Sequence, residues 1–344
     1  MLLHRVLTAL VGVPIVLAAI WFGPPWLTLV AGTVGVIGVW EAYRLYPPIS
    51  SADPDSPPTP LPVLLGGAWA VALVLAGELA VKPGDFGVAA ITICVVGCII
   101  GGLWMIAAWR GRRPVVAAIY LVTPPAYIGG ALACAVALRG VIGKSIVLPW
   151  GESASVSEFS PPPAIEENGF AEPLEIPPAA ATENAGVWLL PDIAGTEFAQ
   201  SVANLTDLGC WLLLLAILTV YAADTGAYAV GRLIGRHRMA PGISPGKTWE
   251  GTAGGMAAAV VAAVVLGILF PLQIQIWQAA LIGVILGAVS PAGDLLESKV
   301  KRLADAKDSG NLFPGHGGML DRLDSLLPSV AIVYILAVTI TVAT

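Results

Sequence analysis

Charge is scarce in this chain. Only 12% of its 344 residues are Asp, Glu, Lys or Arg, against 57% hydrophobic, and the mean hydropathy is +0.83. A soluble globule is about 45 to 50% apolar, so this composition excludes one and describes an all-α polytopic membrane protein. Histidine is rarer still. His4, His237 and His316 are the only three, too few for a multi-histidine metal centre. Cys94, Cys98, Cys134 and Cys210 all fall inside apolar runs and none forms a C-x-x-C pair, so they read as small core residues, not disulfides or zinc ligands. The formal net charge is −6, and nucleic acid is not among the expected partners.

What is abundant is apolar sequence in runs of bilayer length. About 20 apolar residues span the hydrocarbon core, and that ruler predicts nine helices, near 6–22, 26–46, 62–81, 87–109, 115–138, 208–231, 250–270, 276–298 and 324–343. The first follows Arg5 like a signal peptide, but it lacks a small-x-small cleavage site and reads as an uncleaved span. With the N-terminus inside, 14 of the 17 basic residues fall on cytoplasmic segments, and only Lys82, Arg139 and Lys144 fall outside. That bias supports nine spans with the C-terminus out, in the cell membrane.

Two stretches break the pattern. Residues 47–61 are a proline-rich linker. Residues 140–206 carry one Lys against nine carboxylates, with proline clusters at 161–163 and 177–178, and read as an extended acidic insertion outside the membrane. The expected organisation is therefore N-terminal transmembrane helices at 1–139, the insertion at 140–206, and a C-terminal catalytic transmembrane domain at 207–344.

The scarce charge is concentrated. Ser298 to Asp324 reads SKVKRLADAKDSGNLFPGHGGMLDRLD, with five basic side chains, four aspartates and a histidine in 27 residues. A cytosolic loop explains Lys and Arg. It does not explain Asp305, Asp308, Asp321 and Asp324, or a turn made of Gly315, His316, Gly317 and Gly318 that lets backbone approach a ligand closely. Carboxylates for a hard cation, cations for phosphate and a glycine-rich turn suit polyphosphate chemistry at a membrane surface.

This stretch resembles the signature of the phosphatidate cytidylyltransferases, or CDP-diacylglycerol synthases. The match runs through Ser298, Val300, Lys301-Arg302, Lys307-Asp308, Gly310, Phe313-Pro314, His316-Gly317-Gly318, Met319, Asp321-Arg322, Leu323 and Asp324. The segment ISPGKTWEG, Ile243 to Gly251, is similar to a second family segment, so the resemblance covers roughly residues 221 to 326. It is not a P-loop, because Gly242 and Gly246 are separated by three residues where a P-loop has four, and a membrane helix precedes them.

Other polar residues of the C-terminal spans carry their own readings. Asp224 lies in YAADTGAYAVGRLIGR and is expected to point into the bundle or a polar cavity. Gly226, Gly231 and Gly235 fit close helix packing. Ser244 and Pro245 fit a helix entry, and Lys247 and Thr248 fit either phosphate binding at a helix N-terminus or an ordinary cap. In SPAGDLLESKVKR, helical spacing puts Asp294, Glu297, Ser298 and Lys301 on one face. Glu297 with Lys301 also reads as a simple i, i+4 ion pair. Asp321 and Asp324 would share a face at the start of the last helix, where capping competes as a role for Asp324.

The resemblance implies transfer of the cytidylyl group from CTP to phosphatidate, with release of pyrophosphate. It implies Mg²⁺ on Asp294 and Asp321, with Asp224 and Asp324 as further candidates. Catalytic roles fall to Lys301, Arg302, Lys307, Asp308, His316 and Arg322. Substrate binding falls to Ser244, Lys247, Thr248, Ser298, Gly315, Gly317 and Gly318. The partners are CTP, phosphatidate and the bilayer, with a homodimer counted among the arrangements, and the site faces the cytoplasm. A CTP-dependent lipid kinase, which would release CDP, and a transporter are the competing classes. A CDP-alcohol phosphotransferase is disfavoured by the lack of a D-G-x-x-A-R motif.

Overall fold

A computed structural model describes residues 2–45, 61–80, 83–108, 114–140, 208–272, 274–310, 312 and 317–342. The linker at 47–61 and the insertion at 140–206, apart from residues 61 and 140, lie outside the described residues. The first half contributes α1 (Leu2–Phe22), α2 (Trp26–Arg44), α3 (Leu61–Leu79), α4 (Pro83–Ala108), α5 (Pro114–Pro124), a π-helical turn (Pro125–Gly129) and α6 (Gly130–Arg139). The second contributes α7 (Leu208–Ile234), a hairpin of β1 (Arg238–Ala240) and β2 (Ser244–Thr248), α8 (Trp249–Leu269), α9 (Ile276–Leu303), a 3₁₀ turn (Leu320–Arg322) and α10 (Leu326–Val342).

The chain is therefore a helical membrane protein, with one small hairpin among the described residues, and each predicted span position meets a helix. Among the described residues six segments are long and apolar enough to cross a bilayer: Trp26–Arg44, Asp85–Ala107, Ala118–Arg139, Leu208–Ile234, Trp249–Leu269 and Ile276–Leu303. Leu10–Phe22, Val63–Leu79 and Leu326–Val338 are shorter apolar helices.

The helices of the two halves meet differently. In the second half, α8 runs between α7 and α9 with glycine on both contact faces. A methyl group on Gly226 would lie 2.5 Å from the Ala258 Cβ, and one on Gly255 2.8 Å from the Ala223 carbonyl oxygen. On the other side, Gly283 and Gly287 leave room for the Cα atoms of Val260 and Met256. Small residues let backbones approach where lipid offers no hydrophobic drive for association. In the first half such contacts are fewer, Gly77 against the Ala133 carbonyl and Gly129 against the Ala70 Cα, and larger side chains fill more of the space, with Val39, Trp69, Leu73, Ile128 and Leu138 buried. The outer face of α4 leaves Val88, Ile91, Val95, Ile99, Leu103 and Ile106 exposed, as suits a lipid-facing surface.

Three local devices fix this half. Pro124 and Pro125 carry no N–H, so carbonyls one turn earlier lose their helical donors. The Tyr43 hydroxyl donates to one of them, the Leu121 carbonyl, at 2.6 Å, as a neighbouring helix must when proline interrupts a span. Arg139, counted on the outer side from the sequence, is buried at the end of α6. Its Nε donates to the Ile20 carbonyl at 2.7 Å and its Nη2 to that of Trp21 at 3.2 Å, closing the C-terminus of α1. Finally, Gly209 packs against the Leu138 carbonyl with no space for a side chain. The start of α7 is thus fastened to the end of α6.

Candidate active site

The hairpin and the ends of α7, α8, α9 and α10 build one polar region. Ser244 and Pro245, expected at a helix entry, lie in strand β2, where Ser244 pairs with Ala240 and Thr248 with Arg238. The entry to α8 comes four residues later. Thr248 is extended and its hydroxyl accepts from the Gly251 N–H at 3.1 Å, an N-cap of the usual kind. Glu250 closes the base of the hairpin by accepting from the backbone N–H groups of Arg236 and His237 at 3.1 and 3.2 Å.

A cavity of about 600 Å³ opens between these elements. Asp224, Lys247, Thr248, Asp294, Asp321 and Asp324 line it, joined by Tyr228 and Arg232 of α7. The predicted face of α9 is present. The Ser298 hydroxyl donates to Asp294 at 3.1 Å, and Lys247 Nζ lies 2.8 Å from the other Asp294 oxygen while also donating to the Pro291 carbonyl at 3.1 Å. Asp224 turns inward and accepts from the Ser290 hydroxyl at 3.0 Å. Gly226, Gly231 and Gly235 serve packing, Gly231 and Gly235 beside the Thr248 hydroxyl.

Asp321 sits in a cage of donors. Lys301 Nζ donates to it at 2.6 Å, the Gly318 N–H at 2.8 Å and the Ser309 N–H at 2.9 Å. Burial works to raise its carboxyl pKa, and these donors outweigh burial and hold it below the ordinary carboxylate range. Asp324 has fewer partners and accepts one hydrogen bond from the Ser325 N–H at 2.7 Å. The two aspartates do not open a shared helix face, because Asp321 lies in the 3₁₀ turn and α10 begins only at Leu326.

Lys301 is not the open phosphate ligand that its motif position suggests. It is buried between Glu297, at 3.1 Å, and Asp321, at 2.6 Å, so it forms the expected i, i+4 pair and a second bond across to the 3₁₀ turn. A buried cation needs such partners. Arg302 donates to the carbonyls of Ile243 and Ala306 at 3.2 and 3.3 Å, tying α9 to the hairpin. Helix α9 then ends in a Schellman turn. Asp305 takes a positive φ of 51°, and the N–H groups of Ala306 and Asp305 reach back to the carbonyls of Lys301 and Arg302. Ser244, Lys307, Asp308 and Arg322 are not among the cavity-lining residues, and the last three are exposed. Gly317 has a φ of +83°, and a side chain there would press on Asp321. Gly315 and His316 lie outside the described residues.

Two groups at this site escape motif reading. Arg232 supplies a second cation to the cavity, its Nη1 donating to the Tyr228 hydroxyl at 2.8 Å. Glu41 of α2 is 1% exposed and accepts from the Met319 N–H at 3.0 Å, the Leu320 N–H at 2.9 Å and the Ser309 hydroxyl at 3.2 Å. The available signal was a lone acid near the end of an apolar span.

Among the described residues, no group of three or more His, Cys, Asp or Glu forms a ready-made metal cage. The donor set still fits Mg²⁺. That ion is held by one or two carboxylates and completes its shell with water and substrate phosphates, and four aspartates reach this cavity.

The model of the cytidylyltransferase family matches residues 3–340. Similar curated proteins include the phosphatidate cytidylyltransferase of Staphylococcus saprophyticus, 42% identical over 38% of this chain and 51% of that protein. The enzyme of the same name from Mycobacterium bovis is 44% identical over 35% of this chain and 39% of its own length. That from Bacillus subtilis is 42% identical over 39% of this chain and 50% of its own length. The chain thus spans about half or less of the curated relatives it matches. With a family match that runs almost end to end, over both the packed N-terminal helices and the acid-lined cavity, this chain belongs to the cytidylyltransferase family.

Proposed function

We propose that this protein is an enzyme that transfers the cytidylyl group of CTP to phosphatidate, giving CDP-diacylglycerol and pyrophosphate for phospholipid synthesis. The observation that carries this reading is the cavity itself, which joins Lys247 and Arg232 to four aspartates at one end of a lipid-embedded bundle. The names of the relatives support it. We further propose nine spans with the N-terminus in the cytoplasm and the cavity facing that side, a reading supported by the distribution of Lys and Arg.

The phosphate monoester of phosphatidate is already largely ionised near neutral pH, as second pKa values near 6 for phosphomonoesters indicate, so no strong general base is needed. Its oxygen attacks the α-phosphorus of CTP as the bond to the β-phosphate breaks, and pyrophosphate leaves with that bond's electron pair. The task for the protein is neutralisation and alignment of two anions. Mg²⁺ held by Asp294 and Asp321, with Asp224 and Asp324 beside them, would supply charge neutralisation on the CTP phosphates. The Lys247–Asp294 pair lies in the cavity, so an incoming phosphate competes for the ammonium and leaves the carboxylate to a divalent cation. Arg232 meets phosphate at the mouth. Lys301 acts through Asp321 as a positioning residue, and His316 hydrogen-bonds phosphate or orients its loop.

The test is the purified protein in lipid nanodiscs with radiolabelled CTP, dispersed phosphatidate and Mg²⁺. CDP-diacylglycerol and pyrophosphate are expected. Release of CDP with a phosphorylated lipid would make it a kinase, and solute flux without CTP turnover would make it a transporter.

A further inference from the structure

The signature motifs end at residue 221 on the N-terminal side, yet the turn that carries Asp321 is held from outside them. The N–H groups of Met319 and Leu320, at the start of the 3₁₀ turn, have no helical acceptor of their own. Glu41, nearly 280 residues earlier, accepts both. Burying a carboxylate is costly unless donors surround it, and here three donors from one loop converge on its two oxygens. Ser309 then links the two acids. Its hydroxyl donates to Glu41 Oε2 and accepts from the Asp321 N–H at 3.3 Å, while its own N–H donates to Asp321. Two glycines of the motif make room for this contact. A methyl group on Gly310 would lie 2.7 Å from Glu41 Oε1, and one on Gly318 2.5 Å from Oε2.

We propose that Glu41 is a positioning residue of the active site, contributed by the N-terminal half, which pins the 317–322 turn and so aims Asp321 into the cavity. The functional half of this statement rests on the cytidylyltransferase reading above. The positional half does not. Both oxygens of Glu41 act as acceptors, so Glu41→Gln necessarily turns an NH₂ group toward a backbone N–H or the Ser309 hydroxyl. A shape-matched amide therefore fails where a merely space-filling role would tolerate it.

The experiment compares wild type, Glu41→Gln and Ser309→Ala as full-length protein in nanodiscs, by hydrogen–deuterium exchange with mass spectrometry and by steady-state kinetics with CTP and phosphatidate. In Glu41→Gln, exchange of peptides covering 317–322 should accelerate about tenfold to hundredfold, as loss of hydrogen bonds to a charged acceptor predicts, while α7 and α8 keep wild-type protection. Turnover should fall by about tenfold or more with KM for phosphatidate unchanged, the signature of a lost contribution to the transition state alone. Ser309→Ala should show the same local pattern with a smaller amplitude, and it decides the matter if Glu41→Gln fails to accumulate in membranes. Unchanged exchange at 317–322, or acceleration spread equally over α7 and α8, would overturn the assignment. Should the wild type turn over no CTP at all, the proposed function fails and the exchange data still judge Glu41.

Discussion

The two halves of this molecule solve the same packing problem with the same materials in different proportions. Around α8, glycines bring backbones together, and the polar side chains of the cavity stand on a frame with almost nothing compressible between its members. Around α3 and α6 glycine also meets backbone, Gly77 at the Ala133 carbonyl and Gly129 at the Ala70 Cα, but Trp69, Leu73, Ile128 and Leu138 fill the space beside those contacts. The contrast teaches where chemistry can be placed. Functional groups need positions fixed to fractions of an ångström, which close backbone contact supplies. The apolar half then needs only a few polar links to support that frame.

The sharpest way to break this division is to remove a polar group of the cavity. Asp294→Ala and Asp321→Ala should each lower Mg²⁺-dependent formation of CDP-diacylglycerol by about a thousandfold or more, as loss of several kcal/mol of charge stabilisation implies, with the protein still inserted in membranes. Near-normal rates in either purified variant would falsify the metal assignment. Next in size is the frame. Gly226→Val should cost about 1 to 3 kcal/mol through overpacking against Ala258, read as a lowered midpoint of thermal unfolding in detergent. Its control, Gly12→Ala, meets nothing within 4 Å and should leave the midpoint unchanged or raise it, by up to about 1 kcal/mol of helix propensity. In the apolar half, Tyr43→Phe leaves the Leu121 carbonyl without its hydroxyl donor and should cost about 1 kcal/mol in the same melt. The smallest effect is expected from deleting residues 150–200 and rejoining the ends with a short flexible linker. The flanking helices are already fastened at Gly209 and Leu138, and shortening a loop changes closure entropy by less than about 1.5 kcal/mol, so turnover should stay near wild type. A well-folded deletion without activity would move that segment into the site.

Helix positions were legible because their signal is local: a run of apolar residues has bilayer length or it does not. The gathering of Asp224, Asp294, Asp321 and Asp324 was legible for a related reason, since an intramembrane carboxylate has few places to go. Spacing alone failed where partners are distant in sequence. Lys301 looked like a phosphate ligand because Asp321, 20 residues on, could not be seen to claim it. Glu41 belongs to no motif, and its donors lie 268 to 279 residues away. The hairpin at 238–248 was hidden by brevity, its five-residue strand β2 carrying Pro and Gly that suit a loop equally well.

Helix α2 holds Tyr43 against the carbonyl of Leu121 and Glu41 against the loop of Ser309, and two residues on a helix point about 200° apart. It is therefore gripped from nearly opposite sides, like a key whose teeth engage two wards. Its apolar residues can drift among similar shapes, but its phase cannot. One residue inserted between Pro25 and Glu41 would rotate both teeth by about 100°, so the count of residues along α2 is constrained more tightly than their identity.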